Sequence, residues 1–529
     1  MRVLLINPFY PLSETPSPPL GLAYLAGALE QAGHAVHILD CVVYPLTQDR
    51  LEALLRDFKP DLAGATAVSM TVDQALAVLD QVKAIDRTIV SVLGGPHATF
   101  CADDILRTCP QVDAVACGEG EVSVVALVAA IESSRGWDRV PGIVFRGNDH
   151  HVATALPPHA ELDALPPPAR HLLPLGRYRA LGMPVSMTTS RGCPYPCIFC
   201  VGRKMVGARV RYHHPVRVVD EMQQLSTMGF HQINLVDDLF TANPNHCLAV
   251  CAEILNRGLQ VDWTSFARVD TVSRQVLEAM YRAGCTTISF GVESGCPQML
   301  DRIKKGITLD QVVRAVRLCI DIGIDPHASF ILGLPGETQA SLNQTVEFGQ
   351  RLKTMGVSHG FHILAPFPGT DIRDHIADYD LQILSNDWQS YHANRAIVRT
   401  AAVSPQRMDA IVIDSERQFD EWLAKIDRLR DQGMATAETV WPLVRLEHTV
   451  VFYDMMMKAL IETQGAWSVD PTKKPDPAPL ETLMERLVGK LDHPPERIRA
   501  ALTYAVANHH LVIDDGIERV RWSWTDYLD

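Results

Sequence analysis

Cys193, Cys197 and Cys200 stand in the order C-x3-C-x2-C within Cys193-Pro-Tyr-Pro-Cys197-Ile-Phe-Cys200, directly after a short strand-like segment. A closed thiolate site takes four protein ligands, whether it holds one zinc ion or an iron–sulfur cluster. Three cysteines within eight residues therefore imply a fourth position filled from outside this loop. If the centre is a 4Fe-4S cluster, one iron is open to a substrate or cosubstrate. Two other readings fit the same spacing: a structural zinc site completed elsewhere, or three small residues packed for bulk. The nine remaining cysteines are scattered, and none repeats a paired C-x2-C…C-x2-C spacing. Cys247 and Cys251, four apart, fit the apolar face of a helix.

The elements that must carry this loop follow from the alternation around it. Strands are predicted over 186–190, 232–236, 262–267, 286–291, 327–332 and 360–364, with helices over 216–228, 245–256, 273–283, 309–322 and 341–355. Six β/α units make an open partial barrel, and chemistry on such barrels sits at the carboxyl ends of the strands. The cysteine loop leaves the first of those ends. Asp237 and Asp238 end the second strand, Arg268 with Asp270 the third, and Gly291-Val-Glu293-Ser294-Gly295 the fourth. Gly333-Leu-Pro335-Gly336-Glu-Thr338 ends the fifth, and Ala365-Pro-Phe-Pro-Gly-Thr370 the sixth. Any single carboxylate among them could equally be a helix cap or a surface ion pair.

The first 150 residues alternate in the same way, with shorter units. Strands are predicted over 3–7, 35–40, 62–69, 89–93 and 114–117, and helices over 22–31, 49–57, 72–85 and 121–131, the pattern of a parallel sheet covered on both faces. Ligands bind at the carboxyl edge of such sheets. That edge offers Asn7, the turn Ser69-Met70-Thr71, the loop Gly94-Gly95-Pro-His97-Ala-Thr99 and Gly118-Glu119-Gly-Glu121. Small residues there permit close approach of a large ligand.

These motifs carry a family resemblance over roughly residues 1–370. The cysteine spacing, with the aromatic Phe199 before the third cysteine, resembles the signature of the radical S-adenosylmethionine (SAM) superfamily. Gly-Val-Glu-Ser-Gly, Gly-Leu-Pro-Gly-Glu-Thr and Pro-Phe-Pro-Gly-Thr resemble the SAM-contacting and barrel-closing segments of its cobalamin-type members. Gly94-Gly95-Pro96-His97 followed by Gly118-Glu119-Gly120-Glu121 resembles their amino-terminal cobalamin-binding domain. The resemblance implies an α/β chain with a Rossmann-like, doubly wound cobalamin-binding domain, a partial (β/α)6 TIM-like radical SAM barrel and a mostly helical carboxy-terminal region. It implies three cofactors: a 4Fe-4S cluster on Cys193, Cys197 and Cys200, SAM chelating the open iron, and cobalamin. The expected SAM contacts are Phe199, Asp237, Asp238, Arg268, Glu293, Ser294, Gly333, Pro335 and Gly336. The expected cobalamin contacts are Asn7, Ser69, Met70, Thr71, Gly94, Gly95, His97, Gly118, Glu119 and Glu121. One departure matters. The Asp-x-His-x-x-Gly motif that ligates cobalt from below occurs nowhere in the chain, and its usual place reads Asn7-Pro-Phe-Tyr-Pro11. The resemblance then implies a cobalt that could be left five-coordinate or capped by water, with His97 either a contact or a hydrogen-bonding loop residue.

At 529 residues, 47% apolar and 21% charged, with a mean hydropathy of +0.02, the chain is expected to fold as a globular protein of about three domains. We place them at 1–150 and 185–375, joined by a proline-rich linker over 151–184, with a helical, substrate-capping region over 376–529. No apolar run is long enough to span a bilayer, and Met1–Pro8 is too short and strand-like for a secretory signal. A cytoplasmic protein with reduced thiols is expected. A net charge of −14 gives no basic footprint for nucleic acid. After Thr370 a loop over 385–391 could fold over the barrel mouth, helices are predicted over 408–432 and 440–464, and Met455-Met-Met457 reads as core packing. A linker over 470–479 precedes two helices and an Asp515-Gly516 hairpin, a possible winged-helix-like end.

The resemblance implies an enzyme that takes an electron from a low-potential donor, a flavodoxin or ferredoxin, and cleaves SAM to a 5′-deoxyadenosyl radical. Methylcobalamin would then deliver a methyl group to an unactivated carbon of a small-molecule substrate. The alternative on the same scaffold is an oxidative cyclase of the anaerobic magnesium-protoporphyrin monomethyl ester type. A non-catalytic corrinoid carrier is a third reading, and the polar groups at five strand ends argue against it.

Overall fold

The computed structural model describes residues 1–10, 16–148, 150–468, 478–516 and 519–528. The chain opens on β1 (Arg2–Asn7), whose Val3, Leu4, Leu5 and Ile6 are all buried. A run apolar on both faces belongs in the middle of a covered parallel sheet. Around it lie β2 (Ala35–Asp40), β3 (Leu62–Thr66), β4 (Val90–Gly94), β5 (Ala114–Ala116), β6 (Ile143–Arg146) and β7 (His151–Ala153), in the order β2-β1-β3-β4-β5-β6-β7. The first five are parallel, while β6 and β7 add an antiparallel edge that the sequence reading does not anticipate. The order reverses between β1 and β3, which opens a crevice at their carboxyl ends, the place where such sheets bind ligands. A second difference lies at 94–99. A helix, Pro96–Thr108, begins inside the expected loop, with Pro96 in its first turn where the missing N–H costs nothing.

The second sheet has six parallel strands in sequential order: β8 (Val185–Met187), β9 (Gln232–Leu235), β10 (Asp262–Ala267), β11 (Cys285–Glu293), β12 (Asp325–Leu332) and β13 (Ser358–Ile363). The two end strands do not pair, so the barrel is open. Ile233, Leu235, Trp263, Ile288, Phe290, Phe330 and Phe361 are buried along the outer face. The alternate positions Asn234, Thr264, Phe266, Ser289, His327, Ser329 and His362 are at least partly accessible, and they face the lumen. The helix Pro405–Asp431 covers the edge beside β13, sending Met408, Ile411 and Val412 into the same core that holds the barrel and one face of the first sheet.

The carboxy-terminal module contains the helices Ala437–Met457, Pro479–Leu487 and Pro495–Ala507 and the hairpin Leu511–Asp515 with Arg519–Trp524. The expected helix over 440–464 is interrupted, since Ala459 takes a left-handed conformation before Leu460–Gln464. Met455 and Met456 are buried in the module's core, as their pattern suggests. The expected linker at 470–479 falls almost wholly outside the described residues.

One buried arginine joins this module to the rest. Arg177 donates to Asp526 Oδ1 (2.6 Å), Glu462 Oε1 (2.5 Å) and the Val43 carbonyl (3.1 Å), and lies 3.9 Å over the Tyr44 ring. Arg177→Met should cost ~2–4 kcal/mol, most of it through Asp526 and Val43, because Glu462 is screened by solvent. The check is thermal unfolding, with the variant melting several degrees below the native chain.

Candidate active site

The cysteine loop is held from below by two adjacent carboxylates at the end of β9. Asp237 accepts from Thr189 N, Thr189 Oγ1 and Ser190 Oγ, each at 2.6 Å. Asp238 accepts from Gly192 N at 2.9 Å. Gly192 has φ +116, and a Cβ there would lie 2.4 Å from the Arg209 carbonyl, so only glycine lets the chain turn into the loop. Burial pushes the Asp237 carboxyl up to about 6 against the pull of its Ser190 and Thr189 donors. Asp237 therefore positions the loop, and its oxygens are already engaged.

Cys193 and Cys197 are half-buried and Cys200 is exposed, all as free thiols. Gly202 N donates to Cys200 Sγ at 3.3 Å, a contact that favours thiolate over thiol. Burial pushes the Cys197 and Cys200 thiols up, the first opposed by Lys305 and Arg268, the second by the Gly202 N–H. Iron binding would be the event that deprotonates them. Among the described residues, no three His, Cys, Asp or Glu side chains converge on a position for one metal ion.

Charged pairs stand around the loop. Arg268 lies 3.5 Å over the Tyr195 ring, forks onto both oxygens of Asp270 at 3.0 Å and donates to the Lys305 carbonyl at 2.7 Å. Lys305 donates to Glu293 Oε1 at 2.7 Å, both side chains being buried, and its ammonium is 5.9 Å from the Phe199 ring. Ser294 is fully buried and engaged with Thr345 and the Cys296 N–H, so it fixes the turn after β11. Gly333 N donates to Glu337 Oε2 at 2.6 Å. Burial pushes Glu337 up to about 7, and its other oxygen has no partner among the described residues. Pro335 is buried in that turn, and Gly336 approaches the Arg302 guanidinium.

At the carboxyl edge of the first sheet, Asn7 Nδ2 donates to Asp40 Oδ1 at 2.8 Å, and Tyr178 OH to the other oxygen at 2.7 Å. Thr71 Oγ1 closes its own turn through Val68 N at 3.2 Å, while Met70 is half-buried beside it. His97 Nδ1 pairs with Ser69 Oγ at 3.0 Å, and Trp388 stands edge-on to its ring at 4.7 Å. Burial, with Arg373 nearby, lowers His97 to about 4, so the imidazole is neutral at pH 7. His97 is thus a buried hydrogen-bonding residue. Phe9, Val68, Val122 and Leu156 are exposed along the same edge, beside the small residues Gly94, Gly95 and Gly118. A strip of uncovered apolar side chains over small residues fits the flat face of a corrin.

Glu119 and Glu121, expected at the cobalamin edge, are both engaged in ion pairs across the junction. Glu119 accepts from Arg211 Nη1 at 3.0 Å, and Glu121 meets Arg191 Nη1 at 2.8 Å. Burial pushes Glu119 up, but Arg211, Arg191 and His159 outweigh it and hold the carboxyl below its usual range. Arg191 also lies 4.7 Å over the Tyr24 ring. Both arginines belong to the two-stranded hairpin Ser190–Arg191 with Arg211–Tyr212 that brackets the cysteine loop. The contact continues where a Cβ on Gly369 would meet the Phe100 ring at 2.4 Å, and where Trp388 packs against His97. The carboxyl edges of the two sheets therefore face each other. The loop over 385–391 folds onto the first sheet's edge, with Tyr391 buried and bonded to Arg373.

Family comparisons agree with this geometry. The B12 binding domain family matches residues 13–128, and the Radical SAM superfamily matches 187–349. An uncharacterised methyltransferase of Pyrococcus horikoshii is 34% identical over 74% of this chain and 86% of its own length. The chain is a B12-binding radical SAM enzyme. The anaerobic magnesium-protoporphyrin IX monomethyl ester cyclase of Rubrivivax gelatinosus is 30% identical over 79% of this chain and 77% of its own. The solved cobalamin-dependent SAM radical enzyme OxsB shares the fold, with a TM-score of 0.69 and 17% identity over 96% of this chain and 80% of its own. Cluster, SAM and cobalamin are the cofactors of this B12-binding radical SAM enzyme.

Several residues around the site escape sequence reading. Arg191, Arg211 and Lys305 acquire their roles only through partners distant in sequence. The lumenal His327 and His362 were visible in principle, because polar residues alternate with apolar ones along β12 and β13.

The Asp237 carboxyl has a pH signature. Its folded value of about 6 lies above the unfolded one, so its contribution to stability is complete below about pH 4. It is lost as pH rises through 6. Asp237→Asn, which cannot ionise, should lack this component. The melting temperature of the native chain minus that of the variant should therefore fall between pH 4.5 and 7, as read by scanning calorimetry.

Proposed function

We propose that this enzyme is a radical C-methyltransferase acting on an unactivated carbon of a small molecule. The observation that carries the reading is the face-to-face setting of the two carboxyl edges, bridged by Arg191–Glu121 and Arg211–Glu119. It gives the methyl-carrying cofactor and the radical-generating centre one shared space. A cluster held by Cys193, Cys197 and Cys200 would supply the electron for cleaving SAM, and cobalamin at the first sheet's edge would supply the methyl group. The protein's own part is to orient and to exclude water. Asp237 and Asp238 hold the cysteine loop, Glu293 and Lys305 set the charge beside Phe199, and the apolar strip of Phe9, Val68 and Val122 gives the corrin a dry face.

The uncharacterised methyltransferase of P. horikoshii supports this reading. In our proposal SAM contacts Phe199, Asp238, Arg268, Glu293 and the Gly333–Gly336 turn, the electron donor is a flavodoxin or ferredoxin, and the protein works in the cytoplasm. Among the described residues no helix is long and apolar enough to cross a membrane. The domain division 1–150, 185–375 and 376–529 belongs to the same proposal, as does a substrate held in the lumen near Phe266, His327 and His362.

The test needs no substrate. The reconstituted enzyme, its cobalamin reduced, is given SAM with a deuterated methyl group and a strong reductant. Methyltransfer predicts labelled methylcobalamin with S-adenosylhomocysteine, together with 5′-deoxyadenosine that is abolished in Cys197→Ala. 5′-Deoxyadenosine without any methylation of the bound cobalamin would overturn the reading in favour of a redox cyclase.

A further inference from the structure

A cavity of about 540 Å³ opens at the opposite end of the barrel from the cysteine loop. It lies against the starts of β9 and β10, at Gln232 and Asp262, and is roofed by the helices Ala437–Met457 and Pro495–Ala507. The amino-terminal face of a β/α barrel carries no chemistry. The cavity nevertheless has the volume of a small-molecule site, and its walls hold polar groups that the protein leaves without partners.

Two guanidiniums enter it, from Arg179 and Arg445. Arg179 donates to the Met228 carbonyl at 3.1 Å while its buried Nε has no partner among the described residues, and Arg445 bonds the Gly182 carbonyl. Among the described residues neither has a carboxylate within ion-pair reach. Burial lowers Arg179 with no anion to offset it. Glu447, the acid nearest in sequence to Arg445, is committed to Arg430 and Arg497. Among the described residues Asp262 is the one carboxylate of the lining, and no ion pair engages it.

His448 and His510, 8% and 5% exposed, also line the cavity, and among the described residues neither Nδ1 has a hydrogen-bond partner. Burial, with Arg179 and His509 nearby, lowers His510 to about 4, and burial also lowers His448 against Glu447. Both rings are neutral at pH 7 and offer hydrogen bonds without charge. Tyr504 packs 4.7 Å from His448, 5.8 Å from His510 and 5.8 Å from Trp441, so the three rings and the tyrosine form an aromatic wall. Uncompensated arginines beside an aromatic wall match a ligand with an oxyanion at one end and a flat ring at the other.

We propose that this cavity is a second binding site, separate from the catalytic one, for a planar aromatic small molecule carrying a phosphate or carboxylate. Arg179 and Arg445 take the oxyanion, and Trp441 and Tyr504 take the ring. Because the cavity is shared between the barrel floor and the carboxy-terminal module, an occupant ties the two together and stabilises the folded chain by mass action. The site is independent of the reaction proposed above.

The experiment is calorimetric titration of the full-length enzyme, reconstituted with cluster and cobalamin, with 1-naphthyl phosphate, 1-naphthol and inorganic phosphate. The proposal predicts saturable binding of 1-naphthyl phosphate about tenfold or more tighter than either fragment. It also predicts hydrogen-exchange protection at 441–449 and 504–510. Arg445→Gln changes an exposed side chain and should leave the melting temperature and 5′-deoxyadenosine formation unaltered, while weakening 1-naphthyl phosphate severalfold. Adding Arg179→Gln should weaken it further. Equal affinity for 1-naphthol would overturn the anion site, and equal affinity for inorganic phosphate would overturn the ring site. No binding, protection elsewhere, or unchanged affinity in Arg445→Gln and in the double variant would overturn the proposal as a whole.

Discussion

Arg191 is the residue on which the arrangement of this enzyme depends. It lies two positions before Cys193, is largely buried, and meets Glu121 of the first sheet while lying over Tyr24. Arg211, its neighbour across the hairpin, does the same with Glu119. Charges withdrawn from water in this way gain little net stability, because desolvation offsets most of their attraction. What they fix is geometry. A cation at each strand of the hairpin, matched to a carboxylate at the end of β5, allows one registry between the cysteine loop and the first sheet.

The other features arrange themselves around that registry. Asp237 and Asp238 hold the loop from the barrel side, so it is anchored from both directions. Phe100 against Gly369 and Trp388 against His97 close the remaining sides of the junction. The apolar strip of Phe9, Val68, Val122 and Leu156 is left uncovered on the edge that faces the barrel. Arg177 does comparable work behind the junction, seating the carboxy-terminal module against the turn after β2.

Local features were legible in the sequence, and features made by distant partners were not. The cysteine motif is complete within eight residues, and the barrel strands announce themselves through apolar runs, within a residue or two of their positions except that the first ends three residues early, at Met187. Glu119 and Glu121 sit in a Gly-Glu-Gly-Glu loop that suggests ligand binding, yet the partner of Glu119 lies 92 residues away. Nothing in their neighbourhood reveals that pairing. His97 fits a ligand contact or a loop residue from sequence alone, and its bond to Ser69 and packing against Trp388 emerge only in the fold. The edge strands β6 and β7, four and three residues long, are too short to stand out by periodicity. The cavity below the barrel draws on residues from 179 to 510, and no stretch of sequence foretells it.

The central claim is that the Arg191–Glu121 and Arg211–Glu119 contacts hold the corrin-binding edge against the cluster loop. Pulsed electron paramagnetic resonance on enzyme containing cob(II)alamin and a reduced cluster tests it most directly, because the dipolar coupling between the two spins reports their separation. The account predicts one well-defined coupling in the native protein, broadened or lost in the Arg191→Ala, Arg211→Ala double variant although both cofactors remain bound. No coupling in the native protein, or the same sharp coupling in the variant, would contradict it.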